Sequence, residues 1–343
     1  MPIRYPAPLR PGDRIGVTSP SSGVAADLGP RLEFCVEHLR RRGYDVVVGD
    51  CMDGSAVVSA PAQERAAELS EMLTDPRIRA IVPPWGGELA VELLPYLDLP
   101  AIGSAEPTWL VGYSDISTLL LPLTVLTGIA TLHGQNLMDT PYAVPSPLLS
   151  WLDVVTREAG TTFSQGPSAR HRLHGFDEWR DDPTASTYTL PDPGTWRLMD
   201  PGVGDVHVSG RLIGGCIETV SILAGTAYGD LADFAADYAP EGLIVYVEAS
   251  DDGALNIARD LWRMRLAGWF EHANAVLVGR TRARDDGDFT QLDAVRSALG
   301  ALDVPVLLDV DCGHVPPHLA LVNGAVAELT FTGSAQGLSQ TLR

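Results

Sequence analysis

The chain has 343 residues, 45% of them hydrophobic and 20% charged, enough for two moderate soluble domains that need neither disulfide nor metal to hold a core. With 24 basic against 44 acidic side chains the net charge is −20, which argues against a nucleic-acid partner. Every basic residue is arginine, so a Schiff-base lysine, a Walker A lysine and a Ser-Lys dyad are all excluded.

Arg14–Thr18 is a short apolar run that predicts a strand, followed by a Ser-Pro-Ser-Ser-Gly loop. Apolar residues at helical spacing over 31–42 stop at Gly43, and Tyr44–Val48 is the next strand. A helix is expected over 61–73, with Ser59 or Ala60 near its cap and Pro61 in its first turn. Ala80–Val82 predicts a buried strand running into Pro83-Pro84-Trp85-Gly86-Gly87. Another strand over 109–113 meets a helix over 115–126. From about 146 to 201 Pro, Gly, Asp, Ser and Trp dominate, which reads as a connecting segment with room for a short hairpin or an excursion over the active site. A second α/β segment starts near Gly210: Gly214-Gly215 open a helix over 216–224, then come a strand over 243–248, a helix over 254–268, and strands over 275–279 and 304–309. The fold class is therefore α/β in two domains, an N-terminal, mostly parallel sheet flanked by helices and a C-terminal α/β domain. The divisions are 1–145, a connecting segment and active-site loop at 146–208, and 209–343.

Cys35, Cys51, Cys216 and Cys312 are scattered with no C-x-x-C pair, which suits reduced thiols. The first residues have no apolar signal core, and the longest apolar stretch, near 119–126, is too short to span a bilayer. A cytoplasmic protein without a membrane partner is expected.

Ser114 sits where an apolar strand meets a helix, so its hydroxyl projects from the sheet edge toward the positive end of the helix dipole. The Asp115 N–H behind it is placed to stabilise an oxyanion. Ser114 as a plain helix cap fits the same four residues. Gly86 and Gly87 leave backbone N–H groups approachable, as an anion site or a tight turn would. A serine needs a base oriented by a third group. His314, after a strand and a glycine, and Glu248, closing another strand, both fall at strand C-termini, where open α/β sheets bind ligands. Pro316 and Pro317 break the His314-x-x-x-His318 spacing, so no metal site is expected there. Neither a G-x-G-x-x-G nor a Walker A motif is present, so no cofactor is expected.

An ordered set of segments resembles the LD-carboxypeptidase family of serine peptidases. It runs from Leu9-Arg10-Pro11-Gly12-Asp13 and Glu64–Leu69 through Gly86-Gly87, Leu93–Asp98, Val111–Asp115 and His133-Gly134. It continues with Ile213–Cys216, Val247-Glu248, Val278-Gly279-Arg280 and Asp311–His314. The resemblance implies Ser114 as nucleophile in one domain, Glu248 and His314 as its partners in the other, and an oxyanion hole from Asp115 with Gly86 or Gly87. It also implies a homodimer. Trp85 departs from the family pattern, as does Cys312. Gly215–Glu218 and the acidic segment Asp177–Asp181 are more similar to the microcin-immunity branch, where a loop Trp stacks on the nucleobase of an aminoacyl nucleotide. That makes Trp179 the candidate base platform, although Trp179 as loop packing fits equally; Trp85 is a second candidate substrate-binding residue. The substrate is then a peptidyl or aminoacyl nucleotide or a murein L,D-tetrapeptide. The rival class is a binding protein that uses the interdomain cleft without chemistry.

Overall fold

The computed structural model describes residues 2–343. The first half carries strands β1 (Arg14–Val17), β2 (Asp45–Val48), β3 (Ile78–Ile81), β4 (Trp109–Gly112) and β5 (Thr131–His133). The middle carries β6 (Thr162–Gln165), β7 (Arg170–His171), β8 (Asp192–Pro193) and β9 (Arg197–Leu198). The second half carries β10 (Val206–Cys216), β11 (Leu243–Glu248), β12 (Ala273–Gly279), β13 (Val306–Val310), β14 (Leu321–Asn323), β15 (Val326–Phe331) and β16 (Gln336–Thr341).

They form a six-stranded sheet in the order β14-β5-β4-β3-β1-β2 and an eight-stranded sheet in the order β6-β16-β15-β10-β11-β12-β13-β9, with β7-β8 as a separate ribbon. In the first sheet β1 to β5 pair in parallel, and only β14 is antiparallel. In the second, β10 to β13 are the parallel centre. Every residue of β4 and of β11 is buried, as expected for parallel strands covered on both faces.

The halves are interleaved. β14, a few residues past His314, crosses back to extend the first sheet against β5. β6 and β9 join the second sheet from the middle segment. One continuous buried cluster includes Ile15, Val111 and Leu120 from the first half and Val245, Leu261 and Val276 from the second.

Four local expectations change. Pro61 is the N-cap of the helix Ala62–Thr74 rather than part of its first turn, and the Ser59 hydroxyl donates to the Ser19 carbonyl instead of capping. Gly214 and Gly215 do not open a helix; they lie in β10, and the helix begins at Ile217. They are glycines because a Cβ at 214 would strike the Tyr246 carbonyl, and one at 215 would come within 2.8 Å of Ser117 Cβ. The middle segment is not merely connecting, because Ser150 and Asp153 form a capping box on the helix Trp151–Val155. Finally, β14, β15 and β16 lie beyond the last strand expected from sequence.

Candidate active site

The second sheet abuts the helix Ser117–Thr127, whose Ser117 Oγ accepts from the Cys216 N–H at 3.2 Å. This contact places the C-terminal ends of β4 and β11 side by side. Ser114 leaves β4 with φ 64°, a left-handed conformation that costs a non-glycine residue roughly 1–3 kcal/mol and recurs at functional turns. Glu248, the last residue of β11, is 0% exposed. His314 lies in the loop after β13. That loop is held by the buried Asp311, whose carboxylate pairs with Arg280 at 2.6 Å and accepts from Trp196 Nε1 and the Ser168 N–H at 2.9 Å each.

His314 Nε2 is 2.9 Å from Ser114 Oγ, and His314 Nδ1 is 2.8 Å from Glu248 Oε2. A carboxylate at Nδ1 fixes the tautomer with the proton there, leaving Nε2 as acceptor for the serine hydroxyl. Burial pulls the His314 pKa down, but Glu248 overrides it and the net shift is upward. Burial likewise opposes ionisation of Glu248, yet His314 and then His133 hold its pKa well below the usual carboxylate range. Gly313 has φ 93°, and a Cβ there would collide with the Glu248 carboxylate, so only glycine lets the His loop pass so close.

Beside Ser114, a Cβ on Gly86 would sit 2.8 Å from the Asp115 nitrogen and 3.0 Å from Ser114 Oγ. Gly87 faces away, against Ser21 and Ser22. Among the described residues neither the Gly86 nor the Gly87 N–H has an acceptor. The Asp115 side chain is fixed by Ser21 Oγ (2.5 Å), the Ala90 N–H (2.8 Å) and Thr118 Oγ1 (3.1 Å), which sets the direction of its own N–H.

A cavity of ≈ 410 Å³ opens from His314 and Tyr113 and has an aromatic wall that includes Trp85, Tyr142, Phe176, Trp179 and Tyr188. Trp85 Nε1 donates to the Ser22 carbonyl at 3.1 Å. Trp179 Nε1 donates to Tyr142 Oη at 2.9 Å, while its ring lies 4.9 Å from the buried Arg31 guanidinium. Trp179 therefore packs the loop onto the body and also lines the cavity. Arg31 ties the same loop down through the carbonyls of Pro183 and Ala185. Burial raises the Asp139 carboxyl in this wall to about 6.

Two stretches of the chain, 15–134 and 209–329, match the models of the LD-carboxypeptidase N-terminal and C-terminal domains. The chain belongs to the LD-carboxypeptidase family. Membership makes it a peptidase. A carboxypeptidase-named protein of Vibrio cholerae is 29% identical over 337 residues, 95% of each chain. The microcin C7 self-immunity protein of Escherichia coli is 27% identical over 95% of this chain and 92% of its own. The murein tetrapeptide carboxypeptidase of Pseudomonas aeruginosa is 26% identical over 92% of each. Among solved structures, the microcin C7 self-immunity protein bound to glutamyl sulfamoyl guanosine superposes with TM-score 0.79 over 98% of both chains at 24% identity, a likeness of fold.

Within this LD-carboxypeptidase fold, sequence reasoning had picked out Ser114, Glu248, His314, Asp115 and Gly86, which converge, and Gly87, which adjoins them. It gave no role to four neighbours. His133 Nε2 lies 3.8 Å from Glu248 Oε1, beyond hydrogen-bond reach, and its ring meets Tyr246 and Tyr113 edge-on. The Tyr113 ring packs edge-on against His314 at 5.1 Å. Glu218 accepts from the N–H groups of Ser250 (2.7 Å), Asp251 (3.2 Å) and Asp252 (3.3 Å), anchoring the chain just past Glu248. Cys216 donates its thiol proton to Glu218 at 3.2 Å. All four lie in segments that carry the family resemblance, His133 in His133-Gly134, Tyr113 in Val111–Asp115, and Cys216 and Glu218 in Gly215–Glu218. His318 faces Tyr113, and burial depresses its pKa to about 3. Ligating atoms of Cys216, Glu248 and His314 lie within 4.8 Å of one another, but Glu248 and His314 are already joined to each other and to Ser114, and burial raises the thiol pKa. No helix among the described residues is long and apolar enough to cross a membrane.

Proposed function

We propose that the chain hydrolyses an amide bond with Ser114 as nucleophile, His314 as general base and acid, and Glu248 as the group that orients and charge-stabilises the imidazole. The observation that carries this reading is the unbroken line Ser114 Oγ–His314–Glu248 at 2.9 and 2.8 Å. Ser114 Oγ attacks the carbonyl carbon as His314 Nε2 takes its proton. The N–H groups of Asp115 and Gly86 receive the oxyanion, each such donor being worth about 3–4 kcal/mol in comparable sites. Collapse expels the amine, which takes the proton from His314, and water then releases the acyl group by the reverse sequence. This contact line also weighs against a non-catalytic binding protein.

For substrate, the aromatic wall supports an aminoacyl or peptidyl nucleotide, because a nucleobase can stack on Trp179 or Trp85. The likeness to the murein tetrapeptide carboxypeptidase supports an L,D-tetrapeptide as the second reading. The test is a panel of aspartyl sulfamoyl adenosine and L,D-tetrapeptide, assayed with wild type and Ser114→Ala. Turnover of the adenosine compound that Ser114→Ala lowers by roughly 10⁴-fold or more is expected. A variant retaining a few per cent of activity would remove Ser114 from the mechanism. Cleavage of the peptide alone would move murein to first place. Cytoplasmic residence and homodimeric assembly belong to the same proposal.

A further inference from the structure

Three arginines line the active-site cavity: Arg172, Arg180 and Arg282. Two are already neutralised. Arg172 makes a bidentate pair with Asp177 at 2.8 and 3.1 Å, and Arg180 Nε donates to Asp27 at 2.6 Å. Arg282 differs. Its side chain is 15% exposed, yet it makes no hydrogen bond among the described residues. Its ion-pair partner is Asp251, with Nε 3.9 Å from the carboxylate of a side chain that is 80% exposed. One face of the guanidinium is covered by the Phe176 ring, 4.0 Å from its centroid. A guanidinium offers five N–H donors in a rigid plane, and leaving them unmet while largely desolvated is costly. The site is therefore short of an acceptor.

The position of Arg282 says where that acceptor sits. The residue follows β12 by three positions, and its neighbour Thr281 donates its hydroxyl to the Ala249 carbonyl at 3.2 Å, directly after Glu248. Arg282 shares the cavity lining with Tyr113 and His314. The acids of the lining are Asp139, Glu178 and the Asp177 already paired with Arg172. With Arg172 and Arg180 committed to Asp177 and Asp27, Arg282 is the arginine of this lining left to meet an anionic group.

We propose that Arg282 is the residue through which the enzyme selects a substrate bearing a carboxylate close to the scissile amide, taken on the open edge of the guanidinium while Phe176 covers its face. The planar fork matches a carboxylate better than a single neutral acceptor. The proposal rests on the reading of Ser114, His314 and Glu248 as the hydrolytic centre. The carboxylate has two sources, an acidic aminoacyl side chain of a nucleotide conjugate or the terminal carboxylate of a peptide.

The test compares acids with their neutral isosteres: aspartyl against asparaginyl sulfamoyl adenosine, and L,D-tetrapeptide acid against its C-terminal amide. Wild type should prefer the acid of the pair it cleaves by roughly tenfold to a hundredfold in kcat/KM, the range of a charge-assisted hydrogen bond. Arg282→Gln should bring that ratio close to one, and Arg282→Lys should restore part of it. Preference within the adenosine pair assigns the carboxylate to the aminoacyl group; preference within the peptide pair assigns it to the terminus. A wild type that cleaves these substrates but prefers the acid in neither pair overturns the proposal and leaves the hydrolytic centre standing. So does an Arg282→Gln variant that slows both members equally, since it would mark a structural role. Cleavage of the peptide pair alone, with its preference lost in Arg282→Gln, overturns the nucleotide reading and leaves Arg282 standing.

Discussion

The two ends of the active-site cavity are built on different principles. At the hydrolytic end, Ser114, Glu248 and His314 issue from the ends of parallel strands or the loop after one, and contacts of 2.8–2.9 Å join them. At the far end, Tyr142, Phe176, Trp179 and Tyr188 come from irregular chain, and Phe176 is 68% exposed. Regular elements fix the direction of a side chain to within a rotamer, as bond-making chemistry requires. Loops tolerate replacement, as changing a ligand preference requires. The chemistry should thus be brittle and the ligand preference graded.

The largest effect should come from the hydrolytic end. Glu248→Gln keeps the shape of the side chain but removes the charge that sets the His314 tautomer, and kcat should fall by roughly 10⁴-fold. The same variant changes the pH profile. Glu248 raises the His314 pKa against the pull of burial, so in wild type the neutral, active imidazole is lost on acidification at a pH above the ordinary 6.5. Without the carboxylate, burial is opposed only by the more weakly acting Glu218 and Asp251, and the residual activity should persist to lower pH. An acid limb of kcat/KM that does not move, or moves upward, would separate Glu248 from His314.

Gly86→Ala sharpens the comparison at the junction of the two ends. The backbone there is not left-handed, so alanine changes only the space, placing a methyl 2.8 Å from the Asp115 nitrogen. The methyl covers the Asp115 N–H and crowds Ser114, so the oxyanion loses a donor and kcat should fall by roughly 10²- to 10³-fold, with a smaller fall in the thermal midpoint as the turn gives way. Undiminished kcat would locate the oxyanion elsewhere.

Trp179→Ala probes the far end, and its effect should be smaller. Stacking on a base is worth about 1–3 kcal/mol, so KM for the adenosine substrate should rise roughly tenfold to a hundredfold while L,D-peptide cleavage changes little. Equal losses on both would reduce Trp179 to the packing role it already has against Arg31 and Tyr142.

The smallest effect expected is none. Glu248 and His314 are committed to each other and to Ser114, so EDTA should leave turnover unchanged. Activity lost to chelation and restored by Zn²⁺ would make the cluster with Cys216 a metal centre.

The same contrast governs what could be read from the sequence. Short apolar runs make the positions of Ser114, Glu248 and His314 at or just past strand ends a local property, but each alone also fits a cap or a surface residue, and it is the ordered set of family-like segments that singles them out. Arg282 and Phe176 are not legible, because the importance of either depends on a contact between chain segments more than a hundred residues apart. Long-range pairing also hid β14, which matches β5 across nearly two hundred residues, and β16, which matches β6. Gly214-Gly215 looked like a helix opening because two glycines interrupt an apolar pattern; what demands them is the approach of Tyr246 and Ser117, which no local pattern encodes.

The return of β14 to the first sheet makes the His314 loop a clasp. The loop begins at β13 in one sheet and ends at β14 in the other, where Leu321 pairs with His133 and Asn323 with Thr131. Swinging the two halves apart like a book would have to peel β14 from β5 and drag the base away from its serine. Substrate should therefore reach Ser114 through the cavity lined by Trp85, Phe176 and Trp179, with the halves staying shut. For the same reason neither half is a free-standing module: a cut before His314 takes β14 from the first sheet and β15 and β16 from the second, so the chain should melt as one unit.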